Sequence, residues 1–104
     1  MVNIKFSHNW GNKLDNPSFT TIRKQDPEKE AYYNSCIGKE FTVLLQGKEY
    51  GKAVLKGMEV LKFNEISEIL VEEDTGTKEY APIFEKFGIG PDTMVLLLYF
   101  QKRC

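Results

Sequence analysis

Residues 20 to 23, Thr20-Thr21-Ile22-Arg23, set two small hydroxyls directly before a guanidinium. On a strand that order suits anion recognition: Arg23 offers a forked, charged donor set for phosphate or carboxylate, and Thr21 adds a short neutral hydrogen bond. The plainer alternative is a threonine present for its β propensity and an arginine solvated at a strand end. Trp10, the single tryptophan, sits in a polar stretch, where it either plugs one end of the core or stacks a base. Glu72-Glu73-Asp74 gathers three acids towards the end of a predicted helix. There they oppose the helix dipole at a cost of roughly 0.3–1 kcal/mol each, which is a reason to look for partners beyond solvent. Lys48, Lys52 and Lys56 make a modest basic strip, interrupted by Glu49 and Glu59.

Other chemistries find little support. His8 is the single histidine, so Ser-His-Asp or Cys-His catalysis would have to pass through it, and neither Cys36 nor any serine stands at a telling spacing. Cys36 and Cys104 read as free thiols, and one histidine with two cysteines cannot make a structural zinc site, so no metal is expected. Lys48-Glu49-Tyr50-Gly51-Lys52 lacks the spacing of a phosphate loop; Gly47 and Gly51 suit a turn. No cofactor is expected.

The bounds on the chain narrow the partners. Its 104 residues make one domain, residues 1–104, and 41% apolar with 12% aromatic content supplies a compact core. Fourteen Lys and Arg against fifteen Asp and Glu leave a net charge of −1. Extensive nonspecific nucleic-acid binding needs a basic surface, so the balance argues against it, while recognition of a single nucleotide by a small local patch stays open. The first residues lack a signal-peptide core, and the longest apolar run, Met94 to Phe100, is too short to span a bilayer. A cytoplasmic location and no membrane partner are expected.

The elements that must position these residues follow from periodicity. Asn3 to Ser7 reads as a strand with Ile4 and Phe6 on one face, then a polar loop or short helix runs from His8 to Pro17. Phe19 to Lys24 is the second strand, and Gln25 to Glu30, with Pro27, an exposed loop. Phe41 to Gln46 and Tyr50 to Leu61 form the next two strands, with Gly57 marking a bulge or barrel bend. The period then changes. Asn64 is placed to cap a helix carrying Ile66, Ile69 and Leu70 and ending at Thr75-Gly76. A second helix starts near Ala81-Pro82, carries Ile83, Phe84 and Phe87, and stops at Gly88. Met94 to Phe100 is a last strand, buried on both faces. The expected fold is mainly β with short helices (α+β): a small closed or half-closed barrel with two helices inserted before the last strand.

Trp10, Lys13-Leu14 and Thr20-Thr21-Ile22-Arg23 together resemble the N-terminal signature of ASCH domains, members of the PUA-like barrel superfamily. Ile37-Gly38-Lys39-Glu40 resembles the turn before the family's next strand, and Phe63-Asn64-Glu65-Ile66 through Asp74-Thr75-Gly76 its acidic helix. The resemblance covers essentially the whole chain. It implies a PUA-like barrel and a cleft into which Thr21 and Arg23 point, lined also by Trp10, Lys13, Ser18 and Lys24, that binds RNA or a nucleotide. One ASCH branch deacetylates N-acetylated cytidine with a threonine, a lysine three residues before it and an acid on the later helix. Here these positions are Thr21, Ser18 and, by ungapped reading, Asp74, with Glu73 beside it. The resemblance therefore also implies an alternative, an amidohydrolase with Thr21 as nucleophile and Asp74 or Glu73 as proton shuttle. Ser18 departs from it, because a serine supplies no charge to activate a hydroxyl or hold an oxyanion. Lys13 or Lys24 is the nearby substitute. A third reading is a protein-interaction module with a vestigial cleft.

Overall fold

The computed structural model describes residues 2–6 and 14–102. Five strands among them build a single curled sheet, a half-barrel: β1 (Val2–Phe6), β2 (Ser18–Lys24), β3 (Glu40–Leu45), β4 (Lys48–Lys62) and β5 (Met94–Lys102). Their order across the sheet is β1-β3-β4-β5-β2. β1 pairs parallel with β3, and the other three pairings are antiparallel. The expected α+β class and half-closed barrel are what the chain adopts.

β5 is the keel. It lies between β4 and β2, so both its edges are paired, and its faces feed two separate cores. Leu96, Leu98 and Phe100 join Phe19, Phe41 and Leu55 inside the half-barrel. Val95 and Leu97 join Ile22, Val71 and Phe84 on the outer face, beneath the later helices. This double burial is why the strand reads as a nearly unbroken apolar run. Each such side chain withdrawn from water stabilises the fold by about 1.5–3 kcal/mol. β4 shifts register between Leu55 and Gly57 opposite Phe100 and Tyr99, the bulge expected at Gly57.

Three helices accompany the sheet: α1 (Pro27–Ser35), α2 (Glu68–Thr75) and α3 (Ala81–Glu85). α1 stands where the sequence suggested an exposed loop. Pro27 occupies the first helical turn, where its missing N–H costs nothing, and the Asp26 carboxylate caps the helix by accepting from the N–H groups of Glu28 (2.9 Å) and Lys29 (3.2 Å). No residue of α1 is buried, so no apolar stripe announced it. α2 begins at Glu68, after a 3₁₀ turn at Phe63–Glu65, not at Asn64. Its buried face is Val71, Asp74 and Thr75, whereas Ile69 is 69% exposed. Gly76 ends it as expected, left-handed at φ 73° with its N–H donating to the Glu72 carbonyl. α3 ends at Glu85, short of the expected stop at Gly88; Phe84 within it is buried, and Phe87, beyond its end, is 57% exposed.

Candidate functional site

Strand parity sorts the Thr-Thr-Ile-Arg run onto two faces. Thr21 lies opposite Leu98 and Arg23 opposite Leu96, so both side chains turn into the half-barrel. Thr20 lies opposite Tyr99 and Ile22 opposite Leu97, on the face covered by α2 and α3. The two hydroxyls that look equivalent in sequence therefore have different work.

On the outer face, Thr20 Oγ1 donates to Asp74 Oδ1 at 3.0 Å. Asp74 is 5% exposed, and this bond ties α2 to β2. The acids at the end of α2 are thus not all solvated: Asp74 is buried against a hydroxyl, which offsets its unfavourable place near a helix C-terminus. Thr75, also buried, shares its hydroxyl hydrogen between the carbonyls of Val71 and Thr77.

On the inner face Arg23 spans the opening of the half-barrel. Its Nε donates to Thr21 Oγ1 at 3.2 Å, and its Nη2 donates to the Lys5 carbonyl at 2.9 Å. The guanidinium also lies over the Phe6 ring, 5.0 Å from its centroid. Lys5 and Phe6 belong to β1 and Arg23 to β2, the two edges of the sheet. The arginine is thus a seam bridge rather than a free-standing charge. Burial lowers its pKa, and the neighbouring Tyr33 and Asp74 offset that only in part.

A cavity of about 380 Å³ opens at this seam. Thr21, Ile22, Arg23 and Lys24 form one wall, Asp74 and Thr75 close one end, and Lys5 and Lys29 come from β1 and α1. Ile83, Phe84 and Phe87 give it an apolar side. Among the described residues, Lys5, Lys24 and Lys29 take part in no ion pair. Lys24 Nζ lies close to Gly88, where a β-carbon would come within 3.3 Å of it. The lining suits an anion beside a flat apolar body, and the volume is in the range of small-molecule sites.

A second cavity of about 470 Å³ lies around the upper half of β2, where Ser18, Thr20, Lys56, Tyr99 and Gln101 surround a part of Asp74. Tyr99 donates its hydroxyl to Glu59 at 3.0 Å, and burial together with that bond raises its pKa.

Of the residues singled out from sequence, Thr21, Arg23, Lys24 and Asp74 meet at the seam cavity, while Ser18 lines the second cavity. Trp10 and Lys13 lie outside the described residues, as does the side chain of Glu73. Lys5 and Lys29 were not singled out. Lys5 is remote in sequence, and Lys29 sits on the helix that Pro27 disguised. Among the described residues no group of three or more His, Cys, Asp or Glu side chains is placed to hold a metal ion.

No protein-family model and no curated protein matches the chain. Its fold is similar to the crystal structure of protein EF3133 from Enterococcus faecalis V583, of the family DUF984, with a TM-score of 0.67 at 15% sequence identity. The match covers 99% of this chain and 77% of that one. At that identity the likeness speaks for the fold. Among the described residues no helix is long and apolar enough to cross a membrane.

Proposed function

We propose that the chain is a nucleotide- or RNA-binding domain of the PUA-like, ASCH type, with the seam cavity as its binding site. The observation that carries this reading is the convergence of Lys5, Arg23, Lys24 and Lys29 on one small cavity that also has an apolar, aromatic side. The cations suit a phosphate, and the exposed Phe87 ring offers a face to a base. The half-barrel is compatible with the resemblance. A net charge of −1 and a cavity of this size favour a mononucleotide or an RNA end over a long duplex. The test is equilibrium binding of short RNA and mononucleotides across a salt series. A shallow salt dependence is expected, corresponding to about one to three neutralised phosphates, and Lys24→Gln should flatten it by roughly one unit. A steep dependence, or none on Lys24, moves the binding surface elsewhere.

One observation favours the amidohydrolase as a second reading: Thr21, Lys24 and the buried Asp74 border the same cavity. Against it, Asp74 bonds Thr20 rather than Thr21, and Ser18 lies at the other cavity. Chromatography of acetylcytidine incubated with the protein separates the two readings. Binding without release of cytidine is expected; rapid release abolished by Thr21→Ala would reverse the order.

A further inference from the structure

The seam cavity runs along residues 21–24 of β2, whose main-chain groups the ladder with β5 sorts onto two edges. Lys102 N–H donates to the Pro17 carbonyl (2.7 Å) and Gln25 N–H to the Met94 carbonyl (3.0 Å), just beyond either end of the β2–β5 ladder. In an antiparallel pair, residues bonded across the ladder alternate with residues that are not. Phe19, Thr21 and Arg23 share the parity of Pro17 and Gln25, so their main-chain groups are spent on β5. Ile22 and Lys24 have the opposite parity and turn N–H and C=O to the open edge of β2. Among the described residues neither has a main-chain partner on that side. On the facing strand the Phe6 carbonyl accepts from Gln46 N–H (2.9 Å), so the Lys5 carbonyl turns the other way, where Arg23 satisfies it. The edge of β1 is thus closed by a side chain, while that of β2 stays open at Ile22 and Lys24, both of which line the cavity.

An open edge inside a cavity favours an occupant with a hydrogen-bonding rim. An added peptide strand fits poorly. Thr20 does not line the cavity, and within it Ile22 and Lys24 span only about 7 Å of strand, too short for a stable ladder. A planar ring with a donor beside an acceptor needs no more than one residue's N–H and C=O. Building on the nucleotide-binding reading, we propose that the main chain of Ile22 recognises the base edge of a mononucleotide, while Lys24 and Lys29 hold its phosphate. Recognition by main chain reads the presence of a base and is indifferent to the side chain at position 22.

The experiment is a titration of the ¹⁵N-labelled chain with AMP, CMP and inorganic phosphate, beside a semisynthetic chain whose Ile22 amide is replaced by an ester. The Ile22 amide resonance should move with either nucleotide and stay in place with inorganic phosphate. The ester should weaken nucleotide binding roughly fivefold, the worth of one neutral hydrogen bond, and leave phosphate binding unchanged. Nucleotide binding that leaves the Ile22 amide unmoved and the ester chain unimpaired overturns the main-chain inference while the nucleotide-binding reading stands. Absence of any nucleotide binding at millimolar concentration overturns both. Shifts at Ile22 and Lys24 with an extended peptide, but not with a nucleotide, replace the proposal with strand addition.

Discussion

Replacing Arg23 by alanine should unfasten the seam. The substitution removes the bond to the Lys5 carbonyl at 2.9 Å, the bond to Thr21 Oγ1 at 3.2 Å and the contact with the Phe6 ring at 5.0 Å. The first bond is solvent-exposed, so each bond is taken at about 1 kcal/mol net. The ring contact adds about 0.5–1 kcal/mol. Thr21 is 4% exposed, so its oxygen loses a partner that water replaces poorly. The total is about 3 kcal/mol, or a fall in melting temperature of roughly 12 °C for a domain of this size. Arg23→Lys keeps the charge but not the planar fork, and reaches one partner rather than two; about half the loss is expected. Thr21→Val combined with Arg23→Ala in a double-mutant cycle should return a coupling of about 1 kcal/mol for the Nε–Oγ1 contact. Urea denaturation followed by circular dichroism measures all three. If Arg23→Ala costs less than about 0.5 kcal/mol, the two edges hold together without it and the role as a bridge is refuted.

Asp26→Ala should cost about 1 kcal/mol by the same assay, because α1 loses the acceptor for two N–H groups, while Asp26→Ser should recover most of it. Asp74→Ala should destabilise by about 1–3 kcal/mol, because the half-buried Thr20 hydroxyl loses a buried, charged acceptor, and Asp74→Asn, which keeps an acceptor, by less; a larger loss for the amide would show that the charge itself matters. Tyr99 binds its proton more tightly in the fold than in the unfolded chain, so its contribution is complete below the ordinary tyrosine range and is lost as pH rises through and beyond it. Tyr99→Phe should therefore soften the decline of stability in alkali, read from melting curves between pH 9 and about 11.

What the sequence determined by itself is what short-range geometry controls. The apolar run at Met94 to Phe100, the bulge at Gly57 and the stop at Gly76 each depend on a few neighbouring residues, and each appears where the pattern put it. Thr21 and Arg23 were legible as a pair because residues two apart on a strand share a face. Where burial rather than local preference chose the structure, the pattern misled. α1 has no fully buried residue and so carries no stripe, and α2 turns Asp74 inward and Ile69 outward because Thr20 awaits a carboxylate on the outer face of β2. The site belongs to the same class. That Lys5 and Lys29 face Thr21, that Ser18 falls at a different cavity and that Arg23 spends two donors on the seam all follow from β1 and β2 becoming the facing edges of one curled sheet. Which strands end as edges is set by long-range pairing through β3, β4 and β5, and only the closed chain decides it.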